Sequence, residues 1–256
     1  IKIVKLINRV LPEGGELEDN VGEILISDER SKVLKEMIET ERKYVQDLEL
    51  LLKYKDELSN AELISNEQIH VLFPNLNEIV DFQRRFLIGL ECNNNVPNRY
   101  QRIGSIFIHA AKGSFSAYEP WTIGQLSAID LITKEATNLK KSSSILDPGF
   151  ELQSYIIKPI QRLCKYPLLL KELIKHLSQV ENSALYNELL MAQRRMKQVA
   201  NQVNEAQRRA ENVGNLQSLQ ERVANWRGFD VKEQGELLSH GPASVSDVDV
   251  ETAQSA

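Results

Sequence analysis

The sequence predicts an all-α fold, an elongated helical bundle with a long C-terminal helix. Three observations carry this. From Ser27 onward, apolar residues recur at steps of three and four for almost 200 residues, the spacing of one helix face. The last part of that pattern, Leu185, Leu189, Ala192, Met196, Val199, Val203, Ala206, Ala210 and Val213, runs without a break, and a helix of about 40 residues spans roughly 60 Å. A convincing strand pattern is missing until Gly235, Glu236, Leu237 and Leu238, which read as the start of a strand before a polar tail.

Each element has its own signals. Residues 1–26 read as a short helix, with Ile3, Leu6, Ile7 and Val10 at helical spacing. Pro12, Gly14 and Gly15 break it, and an acidic linker follows. Ser27 and Asp28 suit the N-cap of the first bundle helix, whose stripe is Leu34, Met37, Ile38, Val45, Leu48 and Leu52. Ser65 and Gln68 fit a capping box. The helix they open is interrupted at Phe73-Pro74, resumes with Leu76, Ile79, Val80, Phe86, Leu87 and Leu90, and ends at Asn93, Asn94, Asn95 and Pro97. A third helix carries Ile103, Phe107 and Ala111 up to an aromatic turn at Tyr118-Glu119-Pro120-Trp121. A fourth is expected from Thr122 to Lys141. Asp147 before Pro148 is expected to open the next helix, and Trp226 and Gly228 mark the end of the last one.

Bulk composition narrows the function. The chain has 256 residues, 42% hydrophobic and 26% charged, with a net charge of −5. That balance argues against a dedicated nucleic-acid binder. Cys92 and Cys164 are far apart and lack a metal-ligand pattern, as in a chain kept in a reducing cytosol. No apolar run approaches the ~20 residues of a membrane helix. The first residue is Ile1, with no signal-like segment after it, so a piece of a longer protein is expected.

The segment IKPIQRLCKYPLLLK, from Ile157 to Lys171, holds two prolines eight residues apart within a helical pattern. Each removes a backbone hydrogen bond and costs roughly 3 kcal/mol in a helix interior, so a particular bent shape is expected there. Lys158, Gln161, Arg162 and Lys165 interleave with its apolar residues. In the first helix, Glu41 falls on the apolar stripe one heptad after Leu34. A carboxylate there is costly unless paired. It either snorkels to water, meets an internal cation, or belongs to a stretch left open for a partner.

Enzyme signatures are missing: there is no glycine-rich phosphate loop and no G-x-S-x-G. Glu67 and His70 form one Glu-x-x-His, but a di-iron bundle needs a second copy, and His109, His176 and His240 are not so placed. Neither a metal nor another cofactor is expected. Cys164 reads as a small residue for close packing. Arg194, Arg195, Lys197, Arg208 and Arg209 form one side of the last helix, either a solvated face or one for an acidic partner or lipid headgroup.

The segment LQSYIIKPIQRLCKYPLLLKEL closely resembles the third signature region of Dbl-homology domains, the catalytic modules of exchange factors for Rho-family GTPases. EMIETERKYVQDLELL resembles the first signature region, and the long last helix with VNEAQRR is similar to the final helix of that fold. The likeness covers about Asp28 to Arg222. LFPNLNEIVDFQRRFLIGLE and SAYEPWTIGQ look more like the fungal cell-polarity exchange factors, which act on the polarity-controlling Rho GTPase of the cell-division-control class. WRGFDVKEQGELL resembles the entry into a pleckstrin-homology domain, and the remaining residues are too few to close that sandwich.

The resemblance implies three segments: an N-terminal helix and linker over 1–26, a Dbl-homology domain over 27–222, and the start of an incomplete pleckstrin-homology domain with a polar tail over 223–256. It implies a cytoplasmic guanine-nucleotide exchange factor recruited to the plasma membrane or cell cortex, which breaks no bond in the nucleotide. Glu41 matches the glutamate that engages the GTPase's first switch, its charge then partnered by the other protein. Lys165 matches the lysine beside the second switch, with Gln161 one turn before it, and Asn204 matches the asparagine near the end of the last helix. Ile157 matches a position facing a GTPase residue that differs between Rho subclasses. Cys164 departs from the larger apolar residues common at its position and bears on selectivity. Lipid contact is implied only for the missing pleckstrin-homology part, and oligomeric state stays open. The competing reading from the residues alone is a non-catalytic helical scaffold or membrane-associated bundle.

Overall fold

A computed structural model of the chain describes residues 16–97, 100–177, 183–223, 227–235 and 237, with side chains from Glu29 onward. Among the described residues there are eight α-helices and no strand: α1 (Glu16–Ala61), α2 (Asn66–Leu72), α3 (Leu76–Asn94), α4 (Ile103–Ala110), α5 (Tyr118–Lys134), α6 (Ala136–Ser142), α7 (Glu151–Lys175) and α8 (Ser183–Arg222). Short 3₁₀ turns occupy Ser114–Ala117 and Val231–Gln234. The all-α expectation and the 40-residue last helix are both met.

The chain divides into two compact units, residues 1–207 and 208–256. In the first, α1 packs on α3 and α7, α2 packs on α5, and α5 packs on α7. The predicted stripe of α1 is the one that is buried, with Leu34, Met37, Ile38, Val45 and Leu48 all removed from water. Aromatic rings fill the middle. Tyr166 of α7 meets Phe86, Phe107 and Phe115 with centroids 5.5–5.8 Å apart, a separation at which edge contacts are favourable. In the second unit, Val231 N–H donates to Gln220 Oε1 at 3.0 Å, and Asn212 Nδ2 donates to the Leu237 carbonyl at 3.2 Å.

The capping box is present: Gln68 N–H donates to Ser65 Oγ and Ser65 N–H to Gln68 Oε1. The break at Phe73-Pro74 also holds, with Asn75 at φ 55° before α3 begins.

Four expected boundaries are corrected. α1 begins at Glu16, so Ser27 and Asp28 lie inside it; an N-cap preference is at most about 2 kcal/mol, and the upstream stretch holds the good helix formers Glu16, Leu17, Glu18, Glu23 and Leu25. The aromatic turn is the first turn of α5, where Pro120 costs little because those N–H groups have no helical acceptor. The expected Thr122–Lys141 helix is broken at Glu135, whose φ −99° and ψ 13° separate α5 from α6. Asp147 closes a turn instead of capping a helix: Gly149 N–H donates to its Oδ1 at 2.8 Å, and α7 starts only at Glu151.

The expected strand start is not seen where described. Val231–Gln234 is a 3₁₀ turn, Gly235 and Leu237 lie outside regular structure, and Glu236 and Leu238 fall outside the described residues. The first fifteen residues and Trp226 also fall outside them.

Both prolines of the signature segment sit inside α7, buried. Pro159 cannot donate to the Tyr155 carbonyl, nor Pro167 to that of Leu163. Beside the first gap, the Ile156 carbonyl accepts the indole N–H of Trp121 at 2.9 Å. Near the second, the Pro167 carbonyl accepts Gln193 Nε2 of α8 at 3.4 Å. Neighbouring helices thus bond to α7 beside each proline.

Candidate functional site

Glu41 is fully buried on the α1 stripe. Its Oε2 accepts Arg162 Nε at 2.9 Å and Nη2 at 2.5 Å. Its Oε1 accepts Tyr166 Oη at 2.9 Å and Gln83 Nε2 at 3.0 Å. Arg162 is itself only 6% exposed, and its other donors reach Thr40 Oγ1 and the Met37 carbonyl. Burial pushes the Glu41 carboxyl up from its ordinary value, against the pull of the Arg162 charge and of the hydrogen bonds from Arg162 and Tyr166; on Arg162 burial is the largest single influence and acts downward, but Glu41 and Tyr166 together outweigh it and the guanidinium is raised.

This corrects one sequence expectation. The counter-charge of Glu41 comes from Arg162 of the same chain and not from another protein, because a carboxylate out of water needs its partner present in the free fold. Two charges of opposite sign in two apolar stripes were the sequence signal for the pair. Gln83 and Tyr166 carried no such signal, since an amide and a phenol on apolar stripes fit ordinary half-buried positions.

Directly outside this buried pair lies a groove of about 240 Å³ between α1 and α7, lined by Thr40, Lys43, Tyr44 and Asp47 from one side and by Lys158, Gln161, Arg162 and Lys165 from the other. Lys158 Nζ lies 2.9 Å from Asp47 Oδ2 and 3.4 Å from the centroid of the Tyr155 ring. Thr40, Lys43, Tyr44 and Asp47 are lining residues that sequence reasoning did not single out.

α7 turns one face to this side. Gln161, Cys164, Lys165 and Leu168 are exposed, and Ile157 is half-buried; their spacing of four, three, one and three keeps them on one helix face. Cys164 is therefore a surface residue, not the close-packed one expected. Asn204 is exposed on α8 and does not line the groove. α7 and α8 are consecutive helices, and the Gln193–Pro167 contact fixes their register. Eleven residues on from Gln193, about 16 Å along the helix, α8 carries Asn204 toward the Ile157 end of α7. The structure thus gathers Gln161, Lys165, Cys164 and Ile157 on one surface, sets Glu41 beneath it, and leaves Asn204 on the neighbouring helix.

Among the described residues, no group of three or more His, Cys, Asp or Glu side chains could hold a metal ion. No described helix is long and apolar enough to cross a membrane.

Comparison with known proteins bears on this surface. A family model described as RhoGEF domain matches residues 33–204. The chain is 46% identical over 210 residues to cell division control protein 24 of Saccharomyces cerevisiae, covering 81% of this chain and 24% of that protein. It is 41% identical over 220 residues to the Rho guanine nucleotide exchange factor scd1 of Schizosaccharomyces pombe, covering 86% and 25%. The chain thus spans about a quarter of the length of these relatives. Among solved structures it is similar to autoinhibited Vav1, with a TM-score of 0.72 and 24% identity, covering 88% of this chain and 43% of that one. It is also similar to the DH/PH domains of PDZ-RhoGEF in complex with activated RhoA, with a TM-score of 0.67 and 22% identity, covering 85% and 61%. At these identities the structural likeness concerns the fold.

Proposed function

This chain belongs to the RhoGEF domain family, and from that premise we propose that it is a guanine-nucleotide exchange factor. It accelerates GDP release from a Rho-family GTPase of the polarity-controlling, cell-division-control class by remodelling its switch regions. The observation that carries this reading is the groove. Side chains from α1 and from the proline-containing α7, more than a hundred positions apart, meet on one open surface.

The chemistry is dissociation, with no bond broken in the nucleotide. A factor that binds the nucleotide-free GTPase best must, by linkage, weaken nucleotide when it docks and be weakened when nucleotide rebinds. The domain therefore supplies contacts that differ between the GTPase's states. Lys165 and Gln161 are assigned to the second switch and Asn204 to the same partner, while Ile157 and Cys164 tune selectivity. Glu41 acts from beneath, joining α1 to α7 at the point where the first switch would dock. Such an interface buries at least ~1,200 Å². The exchange domain is assigned to residues 27–222, with its first helix reaching back to Glu16 through the stretch expected to be a linker, and it is followed by the start of a pleckstrin-homology domain. A factor of this class works in the cytoplasm and is recruited to the plasma membrane or cell cortex.

The test is release of fluorescent GDP from several purified Rho-family GTPases. Acceleration of a cell-division-control-class member well above its spontaneous rate is expected. A folded chain that accelerates none of them would leave the scaffold reading in its place.

A further inference from the structure

Pairing off the charges in the groove leaves a remainder. Arg162 is neutralised by Glu41 and Lys158 by Asp47. Lys43 on the α1 side and Lys165 on the α7 side are both exposed and line the same groove. Neither has a carboxylate within ion-pair distance among the described residues. On Lys43's own face, Asp47 one turn on is held by Lys158, and Glu39 one turn back lies 3.9 Å from Lys35. The groove thus carries two lysines without an ion-pair partner among the described residues, on a chain whose net charge is −5.

We propose that Lys43, on the wall opposite Lys165, is a specificity-determining contact that takes an acidic side chain of the docked GTPase. This rests on the exchange-factor reading above and deepens it. Covering the groove with an apolar or basic surface would strip water from two cations without replacing it, which is costly. A carboxylate placed between the two walls satisfies both and discriminates against partners lacking it. The lysine sits at the rim, so its effect belongs to encounter and to salt dependence, over a screening length of about 8 Å at physiological ionic strength.

The test compares Lys43→Glu, Lys43→Arg and Lys112→Glu, the last an exposed lysine after α4 that makes the same change in net charge. GDP release is measured against GTPase concentration at several salt concentrations. Lys43→Glu is expected to lower kcat/KM about tenfold, mainly by raising the half-saturating concentration, and to flatten its fall with salt. Lys43→Arg recovers most of that loss, and Lys112→Glu stays near the parent. The proposal is overturned if Lys43→Glu keeps the parent's kcat/KM and salt slope, or if Lys112→Glu loses as much. An inactive parent chain, seen before any variant is compared, would instead remove the exchange reading and this inference with it.

Discussion

Arg162 grips Glu41 across 121 positions of sequence, with two guanidinium nitrogens on one carboxylate oxygen and both side chains out of water. The pair joins α1 to α7, the two helices that form the groove. A buried ion pair adds little net stability when compared with well-packed apolar residues, yet losing one partner leaves a bare charge and typically costs 3–5 kcal/mol. The pair is therefore better understood as fixing how the two walls meet.

That asymmetry sets the first prediction. Glu41→Gln should destabilise the chain by about 3 kcal/mol or more, because Arg162 stays buried and charged. Glu41→Gln combined with Arg162→Met should recover part of the loss, since the second change removes the stranded cation. Urea denaturation of the parent and the two variants measures this. Glu41→Gln at parental stability would mean that the pair does not hold the helices.

The second prediction concerns helix approach. A Cβ added at Gly104 would lie 2.8 Å from Glu188 Cγ and 2.9 Å from its carbonyl carbon, so α4 and α8 meet there through glycine alone. Glu188 closes the same contact, pairing with Arg102 and accepting Ser105 N–H at 2.7 Å. Gly104→Ala should cost about 1–3 kcal/mol. Gly89 in α3 is the contrast, because its Cβ would meet only Ile106 side-chain atoms, the nearest at 3.8 Å. Gly89→Ala should be neutral or gain up to about 1 kcal/mol from helix propensity. Equal melting temperatures for the two variants would contradict this geometry.

The third is a pH effect. Tyr54 is fully buried and its hydroxyl has no hydrogen-bond partner. Burial first, then the charges of Asp147 and Glu57, push its phenol up to about 12 from 10.0. The folded state thus favours the protonated phenol more than the unfolded chain does. That stability is present below about pH 10 and is lost as pH rises toward 12. Tyr54→Phe should be neutral or stabilising by about 1 kcal/mol at pH 7, because it removes an unpaired buried hydroxyl, and should lose less stability on going to pH 11. Melting curves at the two pH values decide it; a large loss at pH 7 would show that the hydroxyl is bonded after all.

The fold was largely legible because helix faces repeat at a fixed step and this chain keeps that step from Leu34 to Val203. The misses were local. At Ser27 and Asp28 a good cap signal lay within a longer helix, and at Asp147 the same chemistry served a turn. Of the site, the exposed face of α7 could be read from the polar residues interleaved around two prolines. Whether Glu41 met a cation inside or outside could not be read, because its partner lies on another helix and only packing decides which opposite charges meet. Lys43 and Asp47 were silent for the same reason: a charge beside a helix seam looks like any solvated residue until the facing helix is in place.

The last prediction separates contacts along the proposed docking surface. Gln161 and Lys165 are exposed one turn apart on α7, about 6 Å along the helix axis. The register of α8 carries Asn204 toward Ile157, eight residues or about 12 Å from Lys165 along α7. Residues sharing one patch of a partner couple, whereas sites more than about 7–10 Å apart contribute independently. Lys165→Ala, Gln161→Ala and Asn204→Ala should each lower exchange by about tenfold, or ~1.4 kcal/mol, with melting temperatures near the parent because all three are exposed. The double change at Gln161 and Lys165 should cost less than the sum of its parts, while Lys165 with Asn204 should add. Strong coupling between Lys165 and Asn204 would place both on a single patch and contradict the register argued from Gln193 and Pro167. Full activity in all three single variants would move the docking surface off this face of the bundle.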